Sequence, residues 1–217
     1  MTVLLEQILE MPNAAILAEQ TLSALRVEKE KRLCFYQNVE ENKKMEFING
    51  EVLFQSPVKI EHNNATKLLL KLLDTFVIKH DLGFVGVEKI LISLTRNDYE
   101  PDVVFFDKSK VAGFKKGQMQ FPAPDLVVEV VSPSTEKYDR EIKFQDYAAH
   151  GIGEYWIVDP EKEIIEQYFL QNKQYELLLK SDNGEIRSIV LDKFIIPVRA
   201  IFDGETNLEV LGKLLGK

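Results

Sequence analysis

Apolar and polar positions along this chain change period several times, and each change marks an element. Residues 1–35 carry Ile16, Leu17, Leu22 and Leu25 at helical spacing, with Met11-Pro12-Asn13 as a helix start, so the chain opens with one or two helices. Met45 to Phe54 is a pair of short apolar runs around Asn49-Gly50, a dipeptide suited to a tight hairpin turn. Pro57 closes the second strand. Leu68, Leu69, Leu72, Leu73 and Phe76 then form an i, i+3/i+4 stripe, which predicts an amphipathic helix from about Ile60 to His80 lying on a sheet. Asp81-Leu82-Gly83 stops it.

Beyond that helix the period shortens to that of strands. Phe84 to Leu94 reads as one or two strands and Pro101 to Phe106 as another, followed by a basic, Gly-containing loop with Lys108, Lys110, Lys115 and Lys116. Asp125-Leu126-Val127-Val128-Glu129-Val130-Val131 is almost continuous apolar sequence, the mark of a central strand covered on both faces. Ser132-Pro133-Ser134-Thr135 turns into a helix from about Glu136 to Ala149, which His150-Gly151 ends. Glu154 to Pro160 is the next strand, and two more near 164–170 and 175–179 form a meander about Asn172-Lys173. This order predicts an α/β or α+β fold, with a mixed central sheet flanked by helices, an N-terminal helical segment and extra C-terminal strands. Residues 1–44 read as a helical extension of the domain that 45–217 builds.

Composition narrows the class. A chain of 217 residues, 45% apolar and 29% charged, buries a real core, which excludes fibrous and disordered readings. With 27 Lys+Arg against 35 Asp+Glu the net charge is −8, so a sequence-independent nucleic-acid coater is excluded and only a local basic strip remains. The single cysteine, Cys34, allows no intramolecular disulfide or Cys-based zinc site; it fits a reducing compartment and reads as a small buried apolar residue. The first residues lack the basic region of a signal peptide, and no stretch approaches a membrane span, so a cytoplasmic protein is expected.

Glu129 is out of place in its apolar strand, because burying an unpaired carboxylate costs several kcal/mol or forces its protonation. A bound cation, or a buried basic partner, supplies the reason. Alternation puts Glu129 on the face of Asp125, Val127 and Val131, with Leu126, Val128 and Val130 on the other. Asp102 opens its own strand; if the two strands are neighbours, the two carboxylates converge, and two oxygen ligands plus water suit Mg²⁺ or Mn²⁺. Lys143, on the following helix, reaches back toward that site. Taken singly, Asp102 reads equally as a turn residue after proline, and Lys143 as an exposed i,i+4 partner of Asp139.

Other chemistries find less support. His62, His80 and His150 have no paired ligand spacing and read as surface or helix-end residues. Neither a phosphate-binding loop nor a nucleophile elbow is present, so no nucleotide cofactor is expected. Lys108, Lys110, Lys115 and Lys116, with Arg140 and Lys143, form the candidate strip for a phosphate backbone, although each alone reads as a solvated charge. Tyr155 and Trp156 read as core or interface aromatics.

The run Pro124 to Thr135, then Lys143, Tyr147, Gly151-Ile152 and Glu154 to Pro160, together with Glu46 to Glu51 and Tyr99 to Val104, resembles the Uma-type restriction endonuclease family of the PD-(D/E)XK nuclease superfamily. The likeness spans roughly Met45 to Leu170. It implies a restriction-endonuclease-like core and Mg²⁺-dependent hydrolysis of DNA, with Asp102 and Glu129 as metal ligands and a 5′-phosphate product. Val131 stands where the superfamily carries its lysine, and Lys143 matches the lysine that replaces it in this family. Glu51 is the candidate for an additional upstream acid, with Glu46 behind it; Glu51 reads equally as an exposed hairpin residue. Two cuts across a duplex imply a homodimer. The competing expectations are a catalytically silent DNA-binding or dimeric module of the same fold, motivated by the displaced lysine, and a hydrolase of another phosphodiester.

Overall fold

Asn49 and Gly50 both take positive φ, 51° and 83°, the backbone a tight hairpin needs to match the twist of its strands. They join β1 (Met45–Ile48) to β2 (Glu51–Phe54) in antiparallel register, Met45 opposite Phe54 and Ile48 opposite Glu51. The computed structural model describes residues 3–39 and 43–216, which divide into one unit of residues up to 55 with 95–97 and a second of 56–94 with the chain from 98 onward.

In the first unit the hairpin accompanies α1 (Val3–Leu9) and α2 (Ala14–Asn38), the two predicted helices. Phe35 is buried, its ring 5.7 Å from that of Phe47. Arg32 donates to the carbonyls of Thr95 and Asn97 at 3.0 and 3.1 Å, and the Asn97 side chain accepts from the Asn49 N–H at 2.8 Å. Cys34 corrects an expectation: it is exposed, because α2 turns its neighbour Phe35 toward the hairpin.

The second unit begins with α3, which spans Ile60–His80 as its stripe predicts and stops where Asp81 adopts φ 52°. β3 (Gly83–Val87), β4 (Leu91–Ser93), β5 (Asp98–Tyr99), β6 (Val103–Asp107), the short α4 (Lys108–Val111), β7 (Gln120–Phe121) and β8 (Leu126–Val130) follow. Then comes one helical run of α5 (Glu136–Tyr138), a π-helical turn (Asp139–Lys143) and α6 (Phe144–Ala149). β9 (Glu154–Asp159), β10 (Ile164–Gln171), β11 (Gln174–Ser181), β12 (Glu185–Arg187), β13 (Ile195–Pro197), a 3₁₀ turn (Val198–Ile201) and α7 (Gly204–Leu215) complete it. Asn172 and Lys173, both at positive φ, make the predicted β10–β11 hairpin turn.

Among the described residues the larger sheet has the order β11-β10-β9-β8-β6-β3, with β8 parallel to β9 and antiparallel to β6. It is therefore mixed, and β8 is central. Leu126, Val128 and Val130 join Val103, Phe105 and the α3 residues Leu69, Leu72, Leu73 and Phe76 in the core. Burying each such side chain contributes roughly 1.5–3 kcal/mol. Gly83 allows β3 to approach β6, since a Cβ there would collide with the Phe106 carbonyl.

A second buried carboxylate anchors the C-terminal part. Glu154 Oε1 accepts from Trp156 Nε1 and Gln167 Nε2, each at 2.6 Å. Its Oε2 accepts from Ser188 Oγ at 2.7 Å and the N–H groups of Ile189 and Val190 at 2.9 and 3.1 Å. Five neutral donors satisfy this carboxylate and tie the 188–190 segment to β9.

Candidate functional site

The β6–β8 register decides the first question. Val103 pairs with Val128 and Val104 with Val127, so one further step sets Asp102 opposite Glu129. Residues opposite each other on antiparallel strands share a face, with Cβ atoms about 4.5–5.5 Å apart. The opposite face, with Val103 and Val128, is the one packed in the core with α3. Asp102 and Glu129 are both 3% exposed. Asp102 Oδ2 accepts from the Val130 N–H at 2.8 Å, which holds the end of one strand against the other.

Lys143 comes to this face from the π-helical turn. Its Nζ donates to Glu129 Oε1 at 3.0 Å and lies 3.0 Å from Asp139 Oδ1. Tyr147 donates its hydroxyl to the same Glu129 oxygen at 2.9 Å. The i,i+4 relation of Lys143 to Asp139 is present, but it is buried rather than exposed: Lys143 and Asp139 are each 1% accessible. A π-turn inserts a residue into helical spacing and is common at functional sites; here it contains Asp139, Arg140 and Lys143. Val131, at the superfamily's usual lysine position, is buried and donates its backbone N–H to Val158.

Tyrosines wall the lysine in. Its Nζ stands 5.8 Å from the centroid of the Tyr99 ring, which meets Tyr147 edge-on; Tyr99 donates its hydroxyl to Asp146 at 2.7 Å. Tyr155 donates to the Asp139 carbonyl at 3.0 Å, and burial, reinforced by the charges of Asp139 and Glu129, pushes its phenol well up. Tyr155 therefore stays protonated and neutral at ordinary pH.

His62 is at a helix end, one of the two expectations for it, and departs from the other. Instead of lying at the surface it is buried, projecting from the first turn of α3 so that Nε2 is 3.3 Å from Asp102 Oδ2. Its Nδ1 has no hydrogen-bond partner among the described residues. Nothing in the spacing of the histidines signals this; only the register of α3 against Asp102 does. Asp139 likewise enters the site as more than a surface partner, and Asp98 and Glu100 are buried at alternate positions leading to Asp102.

Glu51 belongs to the first unit, where its side chain is 76% exposed and 3.4 Å from Lys31 Nζ. Glu46, in the same hairpin, is buried. The candidate basic strip divides. Lys108 pairs with Asp81 and Lys110 with Asp125 at 2.9 Å, while Arg140 forks onto Glu166 at 2.9 and 3.1 Å; Lys115 and Lys116 are exposed.

Among the described residues no group of three or more His, Cys, Asp or Glu side chains forms a ready-made metal cage. Mg²⁺ does not need one: it keeps several waters and is held by one or two carboxylates together with substrate phosphate. Asp102 and Glu129 supply hard oxygen donors of that kind. Lys143 is the one buried Lys or Arg among the described residues. No described helix is long and apolar enough to cross a membrane.

Comparisons with other proteins bear on the family and the fold. A relative from Synechocystis sp., the uncharacterized protein sll1609, is 29% identical over 148 residues, covering 66% of this chain and 82% of that protein. The crystal structure of "a putative nuclease belonging to DUF820" from Anabaena variabilis superposes with a TM-score of 0.67 at 16% identity, covering 82% of this chain and 96% of that one, which shows a shared fold. The family model "Uma2: Putative restriction endonuclease" matches residues 27–199, a span that contains β6, β8, Lys143 and the whole carboxylate site, and the chain belongs to the Uma2 family.

Proposed function

We propose that this chain is a Mg²⁺- or Mn²⁺-dependent endonuclease that hydrolyses DNA phosphodiester bonds. The observation that carries the reading is the juxtaposition of Asp102 and Glu129 across β6 and β8, with Lys143 3.0 Å from Glu129. Asp102 and Glu129 would hold the ion. When bound, it supplies Lewis acidity to a phosphoryl oxygen and lowers the pKa of a water at the scissile phosphate.

This chain's own groups do the rest. Glu129, held by Lys143 and Tyr147, keeps one carboxylate orientation as substrate arrives. The Lys143 ammonium would stabilise the negative charge that grows on the phosphate, an interaction of the kind that lowers a barrier. The burial of Lys143 among Tyr99, Tyr147 and two acids excludes water and strengthens that interaction. The leaving 3′-oxygen takes a proton from solvent, and the product carries a 5′-phosphate. Lys115 and Lys116, exposed on the loop after α4, would contact the backbone, and two sites facing a duplex would require a homodimer.

A second reading rests on Val131 and on the engagement of Lys143 by Glu129: a silent DNA-binding or dimeric module of the same fold. Nicking of supercoiled plasmid with Mg²⁺ or Mn²⁺ decides between them, with Asp102→Ala, Glu129→Gln and Lys143→Ala beside the wild type. The proposed site requires activity in the wild type and a drop of at least ~100-fold in each variant. Equal cleavage by all four removes the site; a wild type that binds DNA but never nicks it establishes the silent module.

A further inference from the structure

The N-terminal helices expose apolar surface that none of the described residues covers. No residue of α1 is buried, and in α2 only Phe35 is. On α2, Ala15, Ala18, Leu22, Leu25 and Leu33 recur at spacings of three, four and eight, and all are exposed. They form one stripe along the helix. The side of α2 that meets the rest of its unit, through Glu28, Arg32 and Phe35, is a different one. Leu22 and Leu25, 56% and 39% exposed, lie at the middle of the stripe. The family model starts at residue 27, so most of this stripe precedes the matched span.

Charge along the helices selects the occupant. Residues 3–25 hold Glu6, Glu10 and Glu19 and no lysine or arginine, which disfavours both a phosphate backbone and an anionic lipid surface. From Arg26 to Arg32 the helix carries Arg26, Lys29, Lys31 and Arg32 against Glu28 and Glu30, a net excess of positive charge. On α2 itself one acid, Glu19, precedes this run of net positive charge, so a reversed second copy can set the acid of each helix beside the basic run of the other. Glu19 and Arg26, seven apart, stand on the same flank of the stripe. A two-fold axis midway between them sets Glu19 of each copy beside Arg26 of the other. An axis moved along by one residue, midway between Leu22 and Leu25, puts Leu22 against Leu25 and Ala14 against Leu33, and leaves Arg26 two residues from the position opposite Glu19.

We infer that α2 is a self-association element, pairing antiparallel with α2 of a second copy of this chain through Ala18, Leu22 and Leu25. The overlap from residue 14 to residue 33 is about 30 Å of helix in each copy. The alanines at 15 and 18 allow close approach of the backbones, and the aliphatic stem of Lys29 covers the seam where the stripe is interrupted. The exposed Leu4, Leu5 and Leu9 of α1 add apolar surface beyond the overlap. This inference locates the dimer of the proposed nuclease, yet it rests on α2 and stands or falls apart from the metal site.

Sedimentation equilibrium of the full chain at micromolar concentration tests it. The wild type should sediment at twice the 25.0 kDa of the chain. Leu22→Glu with Leu25→Glu should raise the dissociation constant at least ~100-fold, since each charge would enter the apolar seam. Circular dichroism should show that helix content is kept. Glu19→Arg and Arg26→Glu should each weaken the dimer roughly 3- to 10-fold, and the two together should restore it. A monomeric wild type overturns the inference, as does a double-glutamate variant that dimerises like the wild type; the latter leaves a dimer through another surface, and neither result touches plasmid nicking as a test of Asp102 and Glu129.

Discussion

Lys143 Nζ stands 3.0 Å from both Glu129 Oε1 and Asp139 Oδ1, with all three side chains at most 3% exposed. One buried ammonium thus serves two buried carboxylates, and deleting it leaves both in a low dielectric. Lys143→Ala should therefore destabilise the fold by about 3–5 kcal/mol, the range for removing one partner of a buried ion pair. Urea unfolding measures this. Mg²⁺ at millimolar concentration should raise the variant's midpoint, by mass action on the folded state, and should not do so when Glu129→Gln is added. A Lys143→Ala protein as stable as the wild type would show that the pair contributes no net stability.

His62 and Asp102 form the next testable pair. A ring nitrogen 3.3 Å from Asp102 Oδ2 supplements the Val130 N–H in fixing that carboxylate. Partners that orient a ligand without touching the metal are typically worth 10–100-fold in affinity. Titration calorimetry with Mn²⁺ should show His62→Leu binding about 10–100-fold more weakly than the wild type and His62→Gln, which retains a donor, in between. Identical Mn²⁺ affinity in all three would remove His62 from the site.

The parts of this fold legible in sequence are those where local periodicity and burial agree. The α3 stripe, the Asn49-Gly50 turn and the β-branched β8 each carry their signal within a few residues, and each forms as expected. The pairing of Asp102 with Glu129 was accessible because alternation assigns faces and only the adjacency of two strands was needed. His62 was not accessible, since a histidine in the first turn of a helix looks the same whether it faces solvent or a carboxylate on another strand. The small strands β5 and β7, two residues each, exist through their pairing with β4 rather than by propensity. The C-terminal α7 did carry local signals, Asp203 capping the Thr206 N–H at 2.8 Å and Gly216 at φ 79°. It packs on α3 and the 3₁₀ turn, and the pairing with α3, distant in the chain, is what the one-dimensional pattern does not show.

Glu154 offers a purely structural prediction. Glu154→Ala leaves the indole N–H of Trp156 and the N–H groups of Ile189 and Val190 without their acceptor in the interior. Each such loss costs about 1–3 kcal/mol, so the variant should lose at least about 3 kcal/mol in urea unfolding. Amide hydrogen exchange should localise the effect: Ile189 and Val190 should exchange faster than the β8 amides, which the substitution does not contact. Uniform protection across both regions would contradict the anchoring role of Glu154.

The acid and alkaline limbs of stability should report different residues. Burial alone would raise the carboxyl of Glu166, but hydrogen bonds from Arg140, Tyr168 and Lys180 outweigh it and hold the group at about 2 instead of the ordinary 4.5. Its stabilising contribution is thus present above pH 4.5 and is lost as pH falls toward 2, because the unfolded chain binds the proton first. Glu166→Gln should flatten the decline of the melting temperature across that window. The phenols act in the opposite range. Burial pushes up Tyr168, with Glu166 adding to it, and pushes up Tyr155 and Tyr175 as well, so the folded state keeps protons that the unfolded chain releases above pH 10. Stability should fall as pH rises past 10, and Tyr175→Phe should soften that fall at the cost of its hydrogen bond to the Ile152 carbonyl. Melting temperatures recorded from pH 2 to pH 11 check both limbs; an acid limb unchanged in Glu166→Gln would show that other carboxylates control it.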